Sequence, residues 1–171
     1  MSELGTRTTE AITAVYPGSF DPITCGHIGI VERASRLFDR VIVAVGLHPS
    51  KPGYFPVAER CELIATSLTH IPNAVAGSFR GLVVDYCRAK NARVIVRGLR
   101  AVGDFEQEFQ MGLANRDLAP EIETVFLLPR LDQQFLSSSL IREIAGHGGE
   151  FERYVSPSVA RALKARGPYE E

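Results

Sequence analysis

Three short stretches of this 171-residue chain hold residue types suited to handling phosphate. The first reads Tyr16-Pro17-Gly18-Ser19-Phe20-Asp21-Pro22-Ile23-Thr24-Cys25-Gly26-His27. Its glycines permit close backbone approach and its prolines stiffen a turn. With Thr24 as an N-cap, His27 falls in the first turn of a helix, where free N–H groups and partial positive charge attract anions. A histidine there can donate to a phosphate oxygen as charge builds on it; taken alone, it equally well decorates a helix start. The second stretch, Arg97-Gly98-Leu99-Arg100, sets two guanidinium groups around a turn, a pattern fit for bidentate phosphate recognition or for a solvated surface pair. The third, Leu136-Ser137-Ser138-Ser139-Leu140-Ile141-Arg142, presents three hydroxyls where a helix cap needs only one. Lys51, in Pro49-Ser50-Lys51-Pro52, adds a cation that by itself signals nothing.

The elements that must position these stretches alternate along the chain. Short apolar runs at Ile12–Tyr16, Arg40–Gly46, Ala74–Phe79, Arg93–Val96 and Thr124–Leu128 read as strands. Between them, apolar residues at helical spacing predict helices over Gly26–Phe38, from Pro56 through the stripe Val57, Cys61, Ile64 and Leu68, over Leu82–Lys90 and over Asp104–Leu118. The long helix carries Phe105, Phe109 and Leu113 on one side. Two closing helices are expected at Ser137–Ala145 and Pro157–Ala165. Strands apolar on both faces, alternating with helices, imply a five-stranded parallel sheet between helical layers, an α/β domain. Ligands of such sheets sit beyond the carboxyl ends of the strands, which is where all three stretches and Lys51 fall. No G-x-G-x-x-G follows the first strand and no G-x-x-x-x-G-K-[ST] is present, so neither common phosphate-binding loop applies.

Composition bounds the remaining possibilities. Hydrophobic residues make up 45% and charged residues 23%, with a net charge of −1, as in an ordinary globular domain. That balance gives no electrostatic case for nucleic-acid binding. Three scattered cysteines without a C-x-x-C pair favour reduced thiols over disulfides or zinc. Neither a signal peptide nor a run of ~18 apolar residues is visible, so a cytoplasmic protein without membrane contact is expected. Residues 1–11 are polar and patternless and are expected to form a flexible tail ahead of one domain spanning 12–171.

The three stretches, together and in order, resemble the bacterial phosphopantetheine adenylyltransferases of the T/H-x-G-H nucleotidyltransferase superfamily. The similarity runs over Tyr16–His27, over Val96-Arg97-Gly98-Leu99-Arg100-Ala101-Val102 with Asp104-Phe105-Glu106 and Glu108, and over Phe135–Arg142, and spans about Ile12 to Ala165 in one register. It implies a Rossmann-like doubly wound sheet and reversible adenylyl transfer from ATP to 4′-phosphopantetheine, giving dephospho-coenzyme A and pyrophosphate. It further implies that His27 contacts the α-phosphate and stabilises the five-coordinate transition state, while Lys51 holds the attacking phosphate. Ser19 and Arg97 would bind the phosphopantetheine phosphate, with Leu82 and Val83 along the pantetheine arm. The ATP side would comprise Ser19, Phe20, His27, Gly98, Leu99, Arg100 and Glu108, with Gln133, Gln134, Phe135, Leu136, Ser137, Ser138 and Ser139. Mg²⁺ would be carried on ATP, with no dedicated protein ligands. Coenzyme A is implied as a feedback ligand and a homo-oligomer, a hexamer, as the assembly.

The chain departs from the family pattern at three points. Ser19 replaces a usual threonine, Gln133-Gln134 replaces an often aromatic start, and Gly81 stands where some relatives are acidic. His70, His147 and His48 are assigned structural or surface roles, and Cys25 an accessible but non-catalytic one. Two alternatives stay open at this point: a sister adenylyl- or cytidylyltransferase acting on nicotinate mononucleotide or an alcohol phosphate, and a nucleotide-binding module without activity.

Overall fold

The computed structural model describes residues 10–47, 53–100 and 102–168. The expected tail therefore lies outside the described residues up to residue 9, and so do Lys51, His48 and Ala101. Five strands run β1 (Thr13–Gly18), β2 (Arg40–Leu47), β3 (Ala74–Arg80), β4 (Val94–Gly98) and β5 (Glu123–Leu127). They form one parallel sheet in the order β3-β2-β1-β4-β5. The helices are α1 (Cys25–Ala34), α2 (Val57–Ser67), α3 (Val83–Ala89), α4 (Val102–Leu118), α5 (Ser138–Gly146) and α6 (Pro157–Arg166). The α/β architecture read from the alternation is the one observed.

Both faces of the sheet are covered, which is why the strands read as continuous apolar runs rather than alternating ones. On one face Ala14, Val41, Val43 and Val45 pack with Ile30 and Val31 of α1, Ile64 of α2, Ile141 of α5 and Leu163 of α6. On the other, Val15, Ile42 and Ile95 pack with Val84 and Cys87 of α3 and with Ala119 and Ile122 beyond α4. Each fully buried Val or Ile contributes roughly 1.5–3 kcal/mol, more than the ~1 kcal/mol span of strand propensity. Burial, not propensity, decides where the strands run.

Element ends moved for local reasons. The expected Gly26–Phe38 helix stops at Ala34, where Ser35 caps it, and Leu37 points to solvent. The first strand continues through Pro17 and Gly18, which align with Ala44 and Val45 of β2. Against β4, however, β1 aligns only through Ala14 and Val15. The two central strands therefore part early, and because the chain winds to β2 and β3 on one side and β4 and β5 on the other, this is the topological switch point. The apolar stripe of α4 marks a helix as expected, but Phe105, Phe109 and Leu113 are each about half exposed rather than packed on the sheet.

Candidate active site

A cavity of about 1020 Å³ opens at the switch point, beyond the carboxyl ends of β1, β2 and β4. It is roomy enough for a nucleotide and a second substrate together. His27, Ser19, Arg97, Gly98, Arg100 and Glu108 all line it, and so do Gln133 and Leu136 through Ser139. Three segments far apart in sequence thus meet around one space.

His27 sits at the third position of α1, and Thr24 is the N-cap. The Thr24 backbone N–H donates to His27 Nδ1 at 3.1 Å, and Thr24 Oγ1 accepts from the His27 backbone N–H at 3.5 Å. This is a capping box in which imidazole takes the place usually held by Glu or Gln. Because Nδ1 accepts a backbone N–H, the neutral ring carries its proton on Nε2. Burial pushes the His27 pKa down to about 4, with the Arg100 charge acting the same way. At neutral pH the side chain is therefore an uncharged Nε2–H donor. The Phe20 ring stands edge-on to it at 5.1 Å. Phe20 holds a φ of +43° and is 1% exposed, and it lines the cavity while its ring packs against His27.

Arg97 is tied down from three directions. Its Nε donates to Glu108 Oε2 at 2.6 Å, one terminal nitrogen donates to Glu108 Oε1, and the other donates to the Pro17 carbonyl at 2.8 Å. Burial opposes its charge, but the Glu108 bonds and charge raise its pKa above the ordinary value. Glu108 is thus the partner of Arg97. Arg100 donates to the Leu136 carbonyl at 3.1 Å and pairs with Asp104 at 3.4 Å, joining the β4 loop to the start of α5.

The three serines divide their work. Ser137 is the N-cap, accepting from the Leu140 N–H at 3.1 Å. Ser138 donates to the Pro22 carbonyl at 2.8 Å, and Ser139 accepts from Arg142 at 3.3 Å. One cap and one contact within the helix order the N-terminus of α5, and the Ser138 bond ties it to the first loop. Gln133 lies beneath it, and its Oε1 is the one buried side-chain polar atom without a partner among the described residues. Gly29 leaves the room for it: a Cβ there would stand 2.9 Å from Gln133 Oε1.

Several functional supports escaped the sequence reading. The buried Asp21 carboxylate accepts from the Tyr54 and Phe55 N–H groups at 2.7 and 2.9 Å. Arg60 approaches the same carboxylate at 3.7 Å and donates to the Phe55 and Ser19 carbonyls. Arg142 donates to the Asp21 carbonyl and stacks near Tyr54. Only the apolar-helix position of Arg60 hinted at burial; nothing in the local pattern showed what the three residues would meet.

Other predicted positions fall elsewhere. Leu99, Gln134 and Phe135 do not line the cavity, and Phe135 packs edge-on against Tyr154 at 5.6 Å. Leu82 and Val83 stand at the start of α3, also outside its lining. His70 pairs with Glu32 at 3.1 Å and His147 with Glu143 at 3.2 Å, the surface roles expected of them. The cysteines are free. Among the described residues no three His, Cys, Asp or Glu side chains gather as metal ligands, and no helix is long and apolar enough to cross a membrane.

The cytidylyltransferase-like family model matches residues 15–144. Similar curated proteins include the phosphopantetheine adenylyltransferase of Heliobacterium modesticaldum, 55% identical over 146 residues, which are 85% of this chain and 87% of that protein. Those of Bordetella petrii and Bordetella avium are each 51% identical over 155 residues, 91% of this chain and 91% and 93% of theirs.

Proposed function

This chain belongs to the cytidylyltransferase-like family and, within it, to the phosphopantetheine adenylyltransferases, and from that premise we propose how its residues divide the work. The protein transfers the adenylyl group of ATP to 4′-phosphopantetheine, giving dephospho-coenzyme A and pyrophosphate, a step of coenzyme A biosynthesis. The attacking group is a phosphate monoester with a second pKa of about 6, already a nucleophile at pH 7. No general base is required; the barrier is the meeting of two polyanions and the charge of the leaving pyrophosphate.

His27 donates its Nε2–H to the α-phosphate as negative charge develops there. The single observation carrying this role is the Thr24 N–H on Nδ1, which leaves the imidazole a donor and denies it base chemistry. Arg100, Ser137, Ser138, Ser139 and the first-turn amides of α5 face the β- and γ-phosphates, with Ser19, Gly98 and Gln133 completing the nucleotide side. Arg97, held rigid by Glu108, and Lys51 receive the phosphopantetheine phosphate. Mg²⁺ arrives on the ATP phosphates, where it would neutralise part of their charge. Its protein ligands would be few, since Asp21 and Glu108 are committed to amides and arginines.

The protein is cytoplasmic and works as a homo-oligomer, a hexamer, with coenzyme A as a feedback ligand. Support for assembly comes from α4, where Phe105, Phe109 and Leu113 leave an apolar stripe in solvent, as subunit surfaces do. Pyrophosphate release with a panel of acceptors tests the reaction: turnover of nicotinate mononucleotide but not of phosphopantetheine would refute it. Sedimentation of a Phe109→Glu variant tests the assembly, which should dissociate.

A further inference from the structure

Tyr16 stands where β1 and β4 part, and none of the roles above uses its hydroxyl. The side chain is 6% exposed, held edge-on by Phe20 at 5.2 Å and tilted toward the His27 ring at 6.4 Å. Its hydroxyl has no hydrogen-bond partner among the described residues. Yet it is not among the fully shielded atoms, so it keeps an open side, and Tyr16 lines the cavity. Gly98 lies beside it: a Cβ built there would stand 3.5 Å from the hydroxyl oxygen, at ordinary contact distance.

The surroundings fix which way this hydroxyl works. Burial pushes its pKa up to about 12, with Arg97 and Arg100 pulling the other way, so it remains a donor at neutral pH. The guanidinium groups spend their bonds on Glu108, the Pro17 and Leu136 carbonyls and Asp104. Their positive field turns the O–H dipole so that its hydrogen faces away from them, toward an incoming oxygen. In the open cavity water can supply the acceptor that no described residue does, and an oxygen of a bound ligand can take that water's place.

From this geometry we infer that Tyr16 is a nucleotide-binding residue, its hydroxyl donating a hydrogen bond to an oxygen of bound ATP on the β4 side of the crevice. The inference rests on reading the cavity as the adenylyl-transfer site. ATP is the substrate concerned because the hydroxyl abuts Gly98 and its ring leans toward His27, both on the nucleotide side, whereas Leu47 and Tyr54 line the β2 side.

Tyr16→Phe in the full-length protein is the test. The KM for ATP, and the Kd for ATP measured by calorimetry without phosphopantetheine, should both rise about 3–10-fold, the loss of one hydrogen bond. The KM for phosphopantetheine and the melting temperature should hold. An unchanged ATP Kd, or a rise confined to phosphopantetheine, overturns the assignment while leaving the adenylyl-transfer reading intact. A wild-type protein that releases no pyrophosphate in the same assay defeats that reading instead.

Discussion

The Thr24 backbone N–H points at His27 Nδ1 from 3.1 Å, with the Thr24 hydroxyl 3.0 Å from the same nitrogen, and the backbone bond decides the chemistry of the histidine. A main-chain N–H can only donate, so Nδ1 must accept and the proton sits on Nε2. A side chain locked as a neutral donor suits a reaction whose nucleophile is already ionised.

Removing that donor should be costly where removing its cap is not. His27→Ala is expected to lower kcat by about 10²–10³, as for loss of one transition-state donor, with circular dichroism unchanged. Thr24→Ala keeps the backbone N–H and so keeps the tautomer. It should lose about 1 kcal/mol of stability in urea unfolding but retain most of kcat. Equal losses of kcat in the two variants would remove the tautomer from the mechanism.

The low pKa of His27 makes an acid-side prediction. In the folded protein the ring protonates near pH 4, and in the unfolded chain near 6.5. Between those values the unfolded state binds more protons, so stability rises with pH through that window and this contribution levels off above it. Denaturant unfolding from pH 4 to 7 should show a shallower slope in His27→Gln than in the wild type. The same neutrality predicts no titration of His27 in the rate between pH 6.5 and 8.

Glu108→Gln separates anchoring from contact. Arg97 would lose its carboxylate partner while staying partly buried, at about 1–3 kcal/mol for a charge-assisted bond. Unfolding should show that loss, and steady-state kinetics should show a raised KM for phosphopantetheine. If only the KM for ATP rises, Glu108 acts on the nucleotide and not through Arg97.

Asp21→Asn tests the hidden scaffold. An amide can accept only one of the two N–H bonds at full strength and turns its NH₂ toward another donor, so Tyr54 or Phe55 would be left unsatisfied. A destabilisation of about 1–3 kcal/mol is expected, together with lower activity, because Arg60 loses the carboxylate charge it sits against while Arg142 keeps the Asp21 backbone carbonyl. Full activity with unchanged stability would make the Asp21 network incidental.

The sequence by itself determined a good deal. Alternating apolar runs specified five parallel strands with helices on both sides, since a strand buried on both faces has no choice but to be apolar throughout. Thr24 and Ser137 announced helix starts through cap chemistry that is local, and each is an N-cap in the fold. His27, Arg97, Arg100 and Ser137–Ser139 were legible because they directly follow predicted strands, and parallel topology gathers such loops at one edge.

The tertiary structure alone decided what those residues touch. Glu108 lines the cavity, and only the approach of α4 to β4 showed that it also pairs with Arg97. Phe20 lines the cavity, and only the fold showed that its ring also stands edge-on to His27. Nothing local showed what Asp21, Arg60 and Tyr16 would meet, because the partners of Asp21 and Arg60 include groups 33 to 41 residues away and the Tyr16 hydroxyl faces the cavity. Cap and strand patterns are set by neighbours in the chain, whereas ion pairs, ring packing and an open hydroxyl depend on which loops the sheet order brings face to face.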